Sequence, residues 1–124
     1  MKQLRSFIII TALISLASCT SPDLEGFDEQ AWKSDPGGCK GVRKEIASTV
    51  NDIKEELKGM GQKKIKSVLG SPEQHELSRR NKKYFIYYVE PGPSCENTSD
   101  SSPRTLWIGF DALGRANEII FQQN

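Results

Sequence analysis

The sequence predicts an α+β domain of two layers (ααβββ), with two N-terminal helices packed on a three- to four-stranded antiparallel sheet. Three observations carry this expectation. Apolar residues recur at steps of three and four between Gly41 and Leu69, the period of one buried helix face. After Pro72 the pattern changes to runs rich in aromatic and β-branched residues, which suit strands. Finally, the later runs are separated by turn residues rather than by further helices, so neighbouring strands are expected to pair antiparallel.

The first element is not part of that domain. Lys2 and Arg5 precede Ser6-Phe7-Ile8-Ile9-Ile10-Thr11-Ala12-Leu13-Ile14-Ser15-Leu16, a positive start followed by a short apolar stretch, as in a secretory signal. The stretch is about a dozen residues, whereas a spanning helix needs ~20. It ends in Leu16-Ala17-Ser18-Cys19, which resembles the lipobox of bacterial lipoproteins. That resemblance implies transfer of diacylglycerol to the Cys19 thiol and cleavage before Cys19, whose new amino terminus can then take a palmitate-type chain. Two or three such chains hold a protein firmly at a membrane without spanning it. Residues 1–18 are therefore expected to be a signal peptide and 19–40 a lipid-anchored tether. The tether is polar and turn-rich apart from Phe27 and Trp32, and it closes on Asp35-Pro36-Gly37-Gly38 before Cys39.

The domain is expected over 41–124. Val42, Ile46, Val50, Ile53 and Leu57 form one helical stripe, ended by Gly59. Gly61 opens a shorter helix over about 62–69, with Ile65, Val68 and Leu69 turned inward and Gly70-Ser71-Pro72 as its stop. Residues 73–78 read as a short strand, joined through Arg79-Arg80-Asn81-Lys82 to a strand over 84–89 (Tyr-Phe-Ile-Tyr-Tyr-Val). A long polar loop over 90–103 precedes strands over 105–110 and 115–122, which are linked by Asp111-Ala112-Leu113-Gly114.

Three cysteines are an odd number for an exported chain. Lipidation of Cys19 leaves Cys39 and Cys95, which are expected to form a disulfide in a compartment where disulfides persist. The bridge would close a loop of 55 intervening residues, worth roughly 4 kcal/mol in the chain-entropy model. The same pair with the single His75 lacks zinc spacing, so no metal is expected.

Composition excludes further classes. Removing residues 1–18 leaves 106 residues with 15 basic and 16 acidic side chains, too near neutral for nucleic-acid binding. The acids are scattered, no Ser-His-Asp set exists, and Gly59-Met60-Gly61 lacks the rest of a phosphate-binding loop. No catalytic residue, cofactor or enzymatic activity is expected. Lys63, Lys64, Lys66, Arg79, Arg80, Lys82 and Lys83 form a local basic cluster, read as a solvated helix face and hairpin turn, with contact to anionic lipid or glycan as the alternative.

Strand alternation puts Tyr84, Ile86 and Tyr88 on one side and Phe85, Tyr87 and Val89 on the other, with Trp107 opposed to Leu106, Ile108 and Phe110. Both faces are apolar, yet two helices cover one. The second face is expected to be covered by the tether, with Phe27 and Trp32 folded over it, or else by a partner. Phe27, Trp32, Phe85, Tyr87 and Trp107 are thus the candidate interaction residues.

Leu57-Lys58-Gly59-Met60, Ile65 and Leu69-Gly70-Ser71-Pro72 together resemble the two-helix signature of the BamE-like (SmpA/OmlA) small lipoproteins. Tyr84–Val89 and Leu106-Trp107-Ile108-Gly109-Phe110-Asp111-Ala112-Leu113-Gly114 fall where that family has its strands and its Phe-Asp-x-x-Gly hairpin. The resemblance covers about residues 41–122. It implies two helices on a three-stranded antiparallel sheet and a non-enzymatic role at the bacterial outer membrane, through contact with a protein partner in the envelope. The domain could face the periplasm or the cell surface. The family's segment between lipobox and first helix is absent, and no partner-binding residue is carried over. The same fold also serves tethered binding or inhibitor modules that capture a secreted enzyme, glycan or other ligand, the alternative function for this chain.

Overall fold

The computed structural model describes residues 24–96 and 102–123. The expected signal peptide, Cys19 and residues 97–101 of the expected polar loop lie outside the described residues. A short helix α1 (Glu29–Lys33) and a 3-10 turn (Pro36–Gly38) lead into α2 (Val42–Asp52), α3 (Lys54–Leu57) and α4 (Gln62–Leu69). Four strands follow: β1 (Gln74–Leu77), β2 (Lys83–Tyr88), β3 (Arg104–Phe110) and β4 (Ala116–Gln123). All pair antiparallel in the order β1-β2-β3-β4. The helices precede the sheet and cover one of its faces, as the sequence pattern predicts.

Local chemistry sets the element ends. Asp28 caps α1 by accepting the Ala31 N–H at 3.0 Å. The long helix expected over 41–58 is broken at Ile53 (φ −104°, ψ 9°), which separates α2 from α3 while keeping Ile53 and Leu57 buried. Gly70 ends α4 at φ +80°, a backbone state that favours glycine. In the β1–β2 connection Ser78 accepts from Asn81 and donates to Lys82, with Asn81 at φ +57°. This is a type I turn followed by a left-handed residue, a common three-residue hairpin. The β3–β4 turn is held by Asp111, whose Oδ1 accepts the N–H groups of Leu113 and Arg115.

The core lies between the helices and the inner face of the sheet. It contains Val50, Ile53, Leu57, Ile65 and Leu69 from the helices, and Phe85, Tyr87, Leu106, Ile108 and Phe110 from the strands. The 24–40 segment belongs to it as well. Leu24, Phe27 and Trp32 are buried in this cluster, so the described part of the expected tether is a packed strap of the domain. Cys39 and Cys95 are bonded, with Cα atoms 5.5 Å apart, which ties the end of the strap to the loop after β2. Among the described residues no helix is long and apolar enough to cross a membrane.

Candidate functional site

The face of the sheet turned away from the helices carries a continuous aromatic surface. Register places Gln74, Ile86, Trp107 and Ile120 in one row across all four strands. Tyr84 sits opposite Gly109, and Tyr88 opposite Thr105. Because side chains alternate along a strand, these residues share the face. Ile86 is buried, whereas Tyr84, Tyr88, Trp107 and Ile120 are half-buried. No helix among the described residues lies over them.

The rings on this face are held in place. Tyr84 meets Trp107 edge-on at 5.5 Å between centroids, a favourable geometry for aromatic pairs. Gly109 makes room for Tyr84: a Cβ there would lie 2.8 Å from Tyr84 Cε1. At the Tyr88 end the loop after β2 packs on the ring, where a Cβ at Gly92 would come within 2.7 Å of it. The Trp107 indole donates to Thr105 Oγ1 at 2.9 Å, the Tyr84 hydroxyl to Glu118 Oε2 at 3.2 Å, and the Gln74 amide to the Tyr88 hydroxyl at 2.9 Å. Lys82 and Glu118 form an ion pair at one end. Their hydrogen bond lowers the Glu118 carboxyl pKa and raises that of the Lys82 ammonium. The surface is preorganised, with its polar atoms already satisfied, and can bury apolar area at little ordering cost.

A second constellation lies on the opposite side and is structural. Arg43, 2% exposed, donates Nε to the Trp32 carbonyl at 3.0 Å and one terminal N–H group to Glu73 Oε1 at 2.8 Å and the Tyr88 carbonyl at 3.1 Å. Its guanidinium lies over the Trp32 ring, 4.9 Å from the centroid. Glu73 in turn accepts the N–H groups of Gly37 and Tyr88, and buried Asp35 accepts those of Lys40 and Arg43. These bonds join the strap, α2, the entry to β1 and the end of β2. Burial, and after it the charge of Glu73, pushes the nearby Tyr87 phenol well above its usual range.

The candidate interaction residues therefore divide. Trp107 alone is on the open face. Phe85 and Tyr87 have the opposite parity and are fully buried under the helices. Phe27 and Trp32 also face the helix side, 5.9 Å apart, with Trp32 6.4 Å from Tyr87. The strap does not cover the second face, because Arg43 and Tyr87 give Trp32 a site in the main core. The members of the face that the sequence reading left out are Tyr84, Ile86, Tyr88 and Ile120. Their parity was readable, since Leu106, Ile108 and Phe110 form the more uniformly apolar side and so mark the inner face of β3. The pairing of Ile86 with Trp107 is a long-range register and was not.

His75 lies on exposed β1 with its ring edge-on to Phe85 at 4.9 Å. Among the described residues, no group of three or more His, Cys, Asp or Glu side chains converges as a metal site. Comparison with family models, curated proteins and solved structures finds no significant match.

Proposed function

We propose that this protein is a lipid-anchored accessory protein of the bacterial outer membrane that acts by protein–protein contact, as a BamE-like lipoprotein does, through the open face of its sheet. The observation that carries the reading is the ordered row Ile86–Trp107–Ile120, flanked by Tyr84 and Tyr88, on a face without a helix among the described residues. A contiguous, preorganised aromatic surface is the usual signature of an interaction site. The lipobox-like Leu16-Ala17-Ser18-Cys19 supports the anchor. The Cys39–Cys95 bond fits an oxidising compartment outside the cytoplasm, and helices ahead of an antiparallel sheet fit the helices-then-strands order of the family.

Two variants test the two halves of the proposal. Cys19→Ser should abolish partition into detergent and leave the precursor uncut; normal cleavage and partition would remove the anchor. Trp107→Lys should keep the far-UV circular dichroism of the native chain and lose only the roughly 1–2 kcal/mol of the Tyr84 contact and the Thr105 bond, while reproducing the phenotype of a gene deletion. A Trp107→Lys strain that behaves like wild type would remove the open face as the working surface.

A further inference from the structure

Strand β1 lies at the edge of the sheet, and its four residues are all exposed. Ser78 donates its N–H to the Lys82 carbonyl, so 78 and 82 are a hydrogen-bonded pair. By the two-residue alternation of an antiparallel ladder, Glu76 and Gln74 also bond to β2, and the N–H and C=O groups of His75 and Leu77 point outward. Such an edge is a template for a further strand.

The flank of this edge is apolar and basic. Leu77 is 68% exposed. Beside it, His75, Glu76, Leu77 and Lys83 line a shallow groove of about 320 Å³. The Lys66 and Lys83 ammonium groups lie 5.3 and 5.6 Å from the Phe85 ring centroid, on the helix side of the sheet. Arg79 and Arg80 follow at the turn. None of these four cations has a carboxylate partner among the described residues. The one acid on β1, Glu76, belongs by alternation to the other face.

We infer that the β1 edge takes up an extended segment of a partner polypeptide, which adds a fifth strand and turns acidic side chains toward Lys66 and Lys83. Main-chain bonds to His75 and Leu77 supply the pairing, and the two ammonium groups, neither of them matched by a carboxylate among the described residues although Lys83 donates to Gln62 Oε1 at 3.1 Å, select the charge. A second copy of this chain is the poorer occupant, since it would set two basic edges side by side. The inference concerns a different surface from the open face and stands apart from that reading.

The test uses the full chain in neutral detergent and labelled octapeptides read by fluorescence polarisation. An alternating Glu-Val peptide should bind at least tenfold more tightly than its Lys-Val counterpart. Two further Glu-Val peptides carry N-methyl groups on alternate amides, one in each of the two possible patterns. One should lose at least tenfold and the other keep the parent affinity, because a strand pairs through one edge only. His75→Pro removes an outward N–H without touching the β1–β2 ladder, and should abolish binding with circular dichroism unchanged. The inference is overturned if both methylated peptides bind like the parent, if charge reversal has no effect, or if no peptide binds. Displacement of the parent peptide by vesicles containing anionic lipid, but not by excess unlabelled peptide, would also overturn it and assign the cations to a membrane surface.

Discussion

Trp32 is completely buried, packed against Phe27, Tyr87 and the Arg43 guanidinium, and its indole N–H has no hydrogen-bond partner among the described residues. Those facts separate two substitutions that are often treated alike. Trp32→Ala empties the site beside a buried cation and should cost about 3–5 kcal/mol. Trp32→Phe keeps a ring against Tyr87 but gives up about 1 kcal/mol of transfer energy and leaves roughly 40 Å³ unfilled, which at ~24 cal/mol per Å³ costs about 1 kcal/mol more. It also removes a buried N–H that lacks a partner, a relief of about 1–3 kcal/mol. The net expectation for Trp32→Phe is a stability within about 1 kcal/mol of the native chain. Equilibrium unfolding in guanidinium chloride, followed by far-UV circular dichroism, reads both. A Phe variant destabilised as much as the Ala variant would refute the reasoning, because the indole N–H would then be making a bond that matters.

Three more expectations follow from the same geometry. Replacing Cys39 and Cys95 by Ser removes a link with a sequence separation of 56, and should lower stability by roughly 4 kcal/mol; the native protein, alkylated without reductant, should show no free thiol at either position. Arg43→Met leaves the Glu73 carboxylate in a mostly buried site without its cation and should cost about 3–5 kcal/mol, whereas Arg43→Met with Glu73→Gln should recover part of that loss in the same unfolding assay. The Lys82–Glu118 pair predicts both ends of a pH profile. Glu118 is lowered in the folded state, so its contribution is present above its unfolded pKa and lost as pH falls through the folded value; Lys82 is raised, so its contribution is full below its unfolded pKa and lost as pH rises through the folded value. The melting-temperature gap between the native chain and Glu118→Gln should be widest near neutral pH and narrow toward both extremes.

Much of the architecture was legible because it depends on local chemistry. Gly59, Gly61 and Gly70-Ser71-Pro72 bracket the helices, and Asp111–Gly114 forms the turn that its side chain and left-handed glycine dictate. The Cys39–Cys95 pair was readable as arithmetic on the expectation that Cys19 carries the lipid. What escaped depends on distant partners. Arg43 occupies the buried stripe of α2, with Ala47 and Val50, where the apolar pattern favoured Val42 and Ile46. An arginine is buried there because Glu73 and the Tyr88 carbonyl, 30 and 45 residues away, satisfy it. The strap was misplaced for a related reason. Phe27 and Trp32 are apolar wherever they land, and only the cation and Tyr87 waiting on the helix side decide which face they cover. That choice leaves the other face of the sheet to Tyr84, Trp107, Tyr88 and Ile120.

The use of that face as the partner surface is tested most directly by a photo-crosslinking amino acid placed at position 107 in living cells. A matched probe at Ser48, exposed on α2, serves as the comparison. A discrete adduct with an envelope protein is expected from position 107, lost when Tyr84 and Ile120 are changed to Lys, and none from position 48. Equal adducts from both positions, or an adduct from position 107 that survives those substitutions, would contradict that use of the face.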